Sequence, residues 1–190
     1  EYGDWLGWLD DDSLLAAFRG RDGMIRLSSA DYRYDTRRTL SAPESKIGPE
    51  SLSPDGRRVA WEAWEDDGVK LLLRDVATDG TEGGRAAPIV DEKAGDRLGG
   101  LSWSGDGRYL AYAKKKPAAG REKPVIVVYD ADRAVANEYE IADWSGEEIG
   151  DVRVSDDGTA AAAFFSSDGY AGVKIGELAG GAFREWDEFA

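Results

Sequence analysis

The sequence lacks two residue types on which many catalytic sites depend. Among its 190 residues there is no cysteine and no histidine. Without cysteine the chain has no disulfide, no thiolate nucleophile and no sulfur-ligated metal. Without histidine it has neither a Ser-His-Asp triad nor a His-ligated zinc or iron site. We therefore expect no catalytic residue, no metal and no cofactor, and we predict that the chain is not an enzyme.

Positive charge and long apolar segments are also scarce. Lys and Arg number 24 against 38 Asp and Glu, so the formal net charge is −14. A chain this acidic is poorly suited to nucleic acid or to an anionic membrane surface. The longest apolar runs, residues 125–129 and 160–165, fall far short of the roughly 18 residues of a membrane-spanning helix. We expect the chain, which begins at Glu1, to be trimmed, so that a signal peptide or an anchor helix could have been removed upstream.

What the sequence does contain is a repeat. The segments IGPESLSPDGRRVAW, LGGLSWSGDGRYLAY and IGDVRVSDDGTAAAA begin at Ile47, Leu98 and Ile149, at a spacing of 51 residues. Each has Gly at its second position and Ser-x-Asp-Gly at positions seven to ten. A weaker first copy aligns Trp8 with Leu52 at an offset of 44 residues, which matches Leu15 to Val59. Internal repeats of this length indicate stacked supersecondary units.

Each copy predicts four short strands. Apolar stretches flank the Asp-Gly pair, which is a hairpin signature. A second turn and two further strands follow, except that residues 114–123 of the third copy predict a longer, flexible loop. We therefore predict an all-β chain with almost no helix, a single β-propeller domain over residues 1–190 made of four tandem four-stranded antiparallel blades. The blades are expected at about residues 3–41, 47–91, 97–142 and 148–189.

The repeat resembles that of TolB-like β-propellers. The resemblance is carried by Ser53-Pro54-Asp55-Gly56 with the strand at 71–75, and equally by residues 103–112, and it covers about 150 residues. True WD repeats need a Gly-His pair that this chain lacks, so WD-repeat-like describes only the general pattern. Because relatives usually close with more than four blades, three arrangements stay open: a small closed ring, an open wedge, or half of a two-chain ring. The resemblance also implies an extracytoplasmic or cell-envelope setting, although a cytoplasmic one is not excluded.

Two sets of residues are singled out by their positions in the repeat. The Asp-Gly pairs are expected to form structural turns, in which Asp accepts backbone N–H groups and Gly supplies positive φ; they are Asp55, Gly56, Asp106, Gly107, Asp157 and Gly158. The loops expected on one propeller face form a candidate binding surface: Arg21, Trp64, Asp66, Asp67, Lys93, Asp96, Lys114, Lys116, Trp144 and Tyr170. By contrast, Trp8, Trp61 and Trp103 are predicted to pack in the core.

These features favour a non-catalytic binding or scaffold propeller that mediates protein–protein interaction, as the exported domain of a cell-envelope protein. A protein partner is expected, and self-association to complete a larger ring is a further prediction. The alternative is a lectin-like, glycan-binding propeller, because Trp64 and Trp144 in loops could stack on sugar rings. A carboxylate-based enzyme acting on glycosides is the least favoured reading.

Overall fold

The computed structural model describes residues 3–8, 13–19, 21–22, 24–31, 33, 36–39, 46–65, 68–75, 87–93, 99–118, 121–142, 148–167 and 170–189. Within these ranges every regular element is a β-strand and none is a helix, so the all-β prediction is confirmed. The chain divides into two compact units, Glu1–Gly95 and Asp96–Ala190.

The first unit contains two four-stranded antiparallel sheets in sequence order. In each sheet, consecutive strands are hydrogen-bonded neighbours, as expected where short turns join alternating apolar segments. The first sheet comprises β1 Gly3–Trp8, β2 Ser13–Arg19, β3 Ile25–Asp31 and β4 Thr36–Thr39. The second comprises β5 Lys46–Leu52, β6 Arg58–Glu65, β7 Gly68–Asp75 and β8 Ala87–Lys93.

The second unit contains two further antiparallel runs of four strands. The first run is β9 Gly99–Trp103, β10 Tyr109–Ala118, β11 Arg121–Asp130 and β12 Val135–Ile141. The second is β13 Glu148–Val154, β14 Ala160–Ser167, β15 Tyr170–Ala179 and β16 Ala182–Phe189.

These two runs are joined into one eight-stranded sheet, which differs from the expected four separate blades. The last strands of the two runs, β12 and β16, pair in parallel, with Glu140 opposite Ala182 and Ile141 opposite Phe183. The amide of Glu140 donates to the carbonyl of Gly181 at 2.9 Å. Because both runs follow the same strand order, their outer strands point the same way and pair wherever they come close enough.

Apolar residues pack between the runs of the second unit. The cluster unites Ala111, Ala113, Ile126 and Val128 of the first run with residues of the second run: Val152, Val154, Ala161, Ala163, Leu178 and Phe183. The hydroxyl of Ser102, itself buried, donates to the carbonyl of Val152 and so ties the inner strands together. The first unit has a separate cluster formed by Leu15, Leu27, Val59, Trp61 and Ala63.

The first repeat differs from the alignment made on sequence. Trp8 lies opposite Leu14, just as Leu52 lies opposite Val59. The offset is therefore 44 residues on the first strand but 45 on the second, so Leu15 corresponds to Ala60 and not to Val59. A shift of one residue moves a side chain to the other face of a strand. Here it directs Leu15 into the apolar cluster.

The predicted packing of three tryptophans is only partly correct. Trp61 and Trp103 are buried, whereas Trp8 is 53% exposed. Trp8 shares a face with Leu14, which is the face away from buried Leu15. The prediction for Trp8 was wrong because the sequence match gave its position in the repeat but not whether a neighbouring sheet covers that face.

The Ser-x-Asp-Gly segments share one hydrogen-bonded turn. In the clearest copy the hydroxyl of Ser104 donates to Asp106 Oδ1 at 2.6 Å and accepts from the amide of Tyr109 at 2.9 Å. The same Asp106 oxygen accepts the amide of Arg108 at 3.0 Å. Gly107 has a φ of 74°, a region that favours glycine. Ser53-Asp55 and Ser155-Asp157 repeat the same bonds.

We expect Ser104→Ala to lower the free energy of unfolding by about 1–3 kcal/mol, because a buried hydroxyl that serves as both donor and acceptor is removed. Urea denaturation followed by tryptophan fluorescence measures the change. Ser166→Ala, at an exposed position on β14, is the control and should shift the value by less than about 0.5 kcal/mol. Equal effects of the two substitutions would contradict the structural role of the Ser104 hydroxyl.

The turn aspartate also predicts a pH dependence. Hydrogen bonds from the Ser155 hydroxyl and from the amide and hydroxyl of Thr159 lower the pKa of Asp157 from 3.8 to about 2. A group whose pKa is lower in the folded state stabilises the fold above its unfolded pKa and loses that contribution as the pH falls through its folded pKa. The melting temperature of Asp157→Asn should therefore fall less than that of the unsubstituted chain between pH 4 and pH 2. Parallel melting curves across this interval would refute the prediction.

Candidate binding surface

The residues predicted for the binding face are only partly described by the structure. Arg21 is exposed in the turn between β2 and β3, and Lys114 and Lys116 lie in β10. The backbone positions of Trp64, Lys93 and Tyr170 are in β6, β8 and β15, so these residues belong to strand ends and not to loops. The remaining four lie outside the described residues: Asp66, Asp67, Asp96 and Trp144. The glycan-binding alternative, which depends on Trp64 and Trp144, stays a prediction.

The expected flexible loop at residues 114–123 is instead part of a long hairpin. Strands β10 and β11 stay paired as far as Ala118 and Arg121, which leaves residues 119–120 between them. Five consecutive cross-strand pairs, from Lys114 with Val125 to Ala118 with Arg121, form this segment. The loop prediction was wrong because two residues suffice to join antiparallel strands. We call residues 114–118 and 121–125 the basic ribbon.

The basic ribbon concentrates positive charge in an otherwise acidic chain. Five of its ten residues are Lys or Arg, and only Glu122 is acidic. Lys116 lies directly opposite Lys123, and both are exposed. Like charges facing each other across a strand pair are unfavourable. The ribbon therefore presents a positive potential that an anionic group from outside would relieve.

One carboxylate partly balances this charge. Glu138 of β12 contacts Lys114 Nζ through Oε1 at 2.8 Å and Lys116 Nζ through Oε2 at 3.1 Å. Hydrogen bonds from Lys114 and then Lys116 lower the pKa of Glu138. A single carboxylate thus serves two ammonium groups. Sequence reasoning missed Glu138, although the strand register could have located it. Glu138 pairs with Val127, and Val127 pairs in turn with Tyr112, which lies two residues from Lys114.

Both strands of the ribbon contain a proline. Pro117 and Pro124 lack an amide hydrogen and so cannot donate to another strand. Proline and lysine on a strand edge both discourage the addition of a further strand. Recognition through side-chain charge is therefore the chemistry that this ribbon supports, in preference to strand addition.

The equivalent turn of the first repeat has a different charge arrangement. Asp22 accepts the amide of Met24 at 3.1 Å and pairs with Arg26 at 2.5 Å. The hydrogen bond from Arg26 is the main reason why the pKa of Asp22 falls to about 2. The turn is closed by its own ion pair, and the exposed Arg21 lies beside it.

A buried carboxylate in the second unit is committed to structure. Asp130 is only 5% exposed and pairs with Arg108 Nη2 at 2.8 Å. Its Oδ1 also accepts the amides of Asp132 and Arg133 at the β11–β12 turn. Chiefly through the hydrogen bond from Arg108, the pKa of Asp130 is lowered. An ionised carboxylate that already accepts this many bonds is suited to holding a turn, not to transferring a proton.

Metal ligation and membrane insertion each require a particular grouping of residues. In the part of the chain that the structure describes, no group of three or more Asp, Glu, His or Cys side chains is placed to hold a metal ion. No helix within the same ranges is long and apolar enough to cross a membrane.

Comparison with known proteins gives matches in structure only. No protein-family model matches the sequence, and no curated protein matches it. TolB from Acinetobacter baumannii has a TM-score of 0.59 at 15% identity, over 96% of this chain and 42% of its own. The β-propeller domain of the Trilobed protease from Pyrococcus furiosus has a TM-score of 0.62 at 13% identity, over 98% of this chain and 58% of its own.

A third solved structure corrects the prediction that the chain is not an enzyme. Oligogalacturonate lyase, in complex with manganese, has a TM-score of 0.64 at 16% identity, over 96% of this chain and 52% of its own. The fold is thus shared with an enzyme, so the absence of histidine and cysteine was too narrow a basis for that prediction. Carboxylates, lysines and tyrosines, all present here, also catalyse reactions.

All three sequence identities are below the level at which function can be transferred between proteins. The chain also spans only about half the length of these relatives. What they share with it is the course of the backbone. The resemblance inferred from the repeats is therefore confirmed at the level of the fold: the chain has a TolB-like β-propeller fold.

Proposed function

We propose that the chain is a protein-binding propeller that takes an acidic polypeptide segment on its basic ribbon. The observation that carries this proposal is the ribbon itself, a paired hairpin with five cations in a chain of net charge −14. Complementary charge steers a partner toward such a patch and orients it. The two prolines favour side-chain recognition over strand pairing.

We further propose that the four repeats are four blades of a single propeller domain. In support, each repeat corresponds to four strands paired in sequence order. The clusters at Leu15 and Val59 and at Ala111 and Ala161 both join successive repeats face to face. Stacked units of this kind bury surfaces that one unit cannot bury alone.

The proposed setting is extracytoplasmic or at the cell envelope, which rests on the resemblance to TolB. In that setting the basic ribbon would bind an acidic segment of another envelope protein. A second copy of the chain is an additional proposed partner, through a different surface.

Binding of a fluorescent polyglutamate peptide, measured by anisotropy at low and high salt, tests the ribbon. We expect salt-sensitive binding, because exposed charges are screened. Lys116→Glu together with Lys123→Glu should weaken binding by about tenfold or more. The matched control, Arg57→Glu with Arg133→Glu, changes the net charge equally at side chains that are 79% and 74% exposed and lie outside the ribbon. Equal losses in both double variants would reject the ribbon as the site.

A second variant should act in the opposite direction. Glu138→Gln removes the carboxylate shared by Lys114 and Lys116, so both ammonium groups lose an ion pair that competes with the peptide. We expect binding of the same peptide to tighten by about two- to fivefold, the range of an exposed ion pair. Weaker binding in Glu138→Gln would contradict the proposed role of these lysines.

A further inference from the structure

We infer that the outer face of the β13–β16 run binds the outer face of the first sheet, β1–β4, of a second copy of the chain. This specifies the self-association proposed above. We call the face that presents Ala162, Phe164, Val173 and Ile175 the terminal face. Phe164 lies opposite Val173 and Ala162 opposite Ile175, so the four side chains share one side of the sheet.

The terminal face repeats an interface that the structure already contains. By strand register, Phe164 and Val173 correspond to Ala113 and Ile126 of the preceding run. In the same way, Ala162 and Ile175 correspond to Ala111 and Val128. The earlier four are at most 4% exposed, because the β13–β16 run packs on them. On the terminal face, by contrast, Phe164 is 43% exposed. The apolar pattern of these four positions is thus kept where Phe164 is exposed to solvent.

A pair of glycines gives independent support. A Cβ atom on Gly99 would lie 2.6 Å from the carbonyl oxygen of Ile149 in the neighbouring run, too close for any side chain. Gly150 occupies the same place 51 residues later, yet a Cβ atom there would have nothing within 4 Å. Neither glycine has a positive φ, so backbone conformation does not require them. The space at Gly150 matches the approach of another inner strand.

The first sheet offers the complementary half of the same interface. In the second unit, Val154 and Ala161 lie opposite each other and pack on the preceding run. Their counterparts by strand register are Trp8 and Leu14. Trp8 is 53% exposed, and Phe18, on the same side of β2, is half-buried. Together with the terminal face, this surface supplies both halves of a head-to-tail contact.

The charges beside the terminal face are compatible with this occupant. Asp151 and Arg153 correspond to Gly100 and Ser102 of the preceding repeat. Their side chains form an ion pair at 2.8 Å. The pair is neutral as a unit, so covering it adds no unpaired charge to the interface. Head-to-tail contacts between unlike faces generate rings when they close and filaments when they do not. A second copy is therefore a sufficient partner.

Sedimentation velocity of the full chain over a range of concentrations is the test. We expect concentration-dependent dimers or larger species, which Phe164→Lys or Trp8→Lys should each convert to monomer. Lysine reduces the net negative charge, so added repulsion between chains cannot explain a loss of association. Val135→Lys is the control, since Val135 is 47% exposed and lies in β12, which belongs neither to the β13–β16 run nor to the first sheet. A monomeric unsubstituted chain at all concentrations would overturn the inference.

Mixing the two variants tests the head-to-tail arrangement. One copy then retains Trp8 and the other retains Phe164, so an equimolar mixture should form a one-to-one dimer although each variant alone is monomeric. A mixture that stays monomeric would exclude contact between these two faces. If Phe164→Lys abolishes association and Trp8→Lys does not, the terminal face pairs with itself and the inference is wrong.

The glycines separate association from folding. Gly150→Ala should weaken association by about tenfold without changing the melting temperature of the monomer, since one clashing contact at an interface readily costs that much. Gly99→Ala should lower the melting temperature. Equal melting effects would refute the assignment of Gly150. Polyglutamate binding by Phe164→Lys should remain intact, so failure of this inference is distinguishable from failure of the proposed ribbon function.

Discussion

Burial on both faces is the constraint on which the second unit depends. Neighbouring residues in β10 and β11 are buried without alternation: Leu110, Ala111, Tyr112 and Ala113 are at most 4% exposed, as are residues 125–128. A strand has side chains on alternate faces, so a continuous buried run means that both faces are covered. Both sides of these strands therefore contribute to the buried core. The packing of Ala111 and Ala113 on Ala161 and Ala163 provides this burial on one side.

The repeat made much of the architecture predictable. Hairpins at the Ser-x-Asp-Gly segments follow from residue chemistry, because Ser and Asp bond to nearby backbone groups and Gly adopts positive φ. The all-β class follows from the same signals. The parallel pairing of β12 with β16 was not predictable, since it depends on how closely two outer strands approach in space and not on a local pattern.

Other features lay beyond the repeat for specific physical reasons. The register of the first repeat shifts by one residue across a turn, and an alignment without gaps cannot detect this shift. The lysines of the basic ribbon resemble a loop in composition, but pairing with residues 121–125 holds them in a strand. Glu138 contributes to the candidate site only through that pairing, which places it beside Lys114 and Lys116. Sequence reasoning therefore found the cations but not their shape or their counterion.

The strand order has a consequence for how the chain acquires its structure. Apart from β12 with β16, every strand pairing among the described residues joins a strand to the one next to it in sequence. Contacts between residues close in sequence form with a small loss of loop entropy, and proteins rich in them fold quickly. The strands of each sheet can therefore pair early, before successive repeats pack on one another, whereas the parallel pairing of β12 with β16 requires both runs of the second unit.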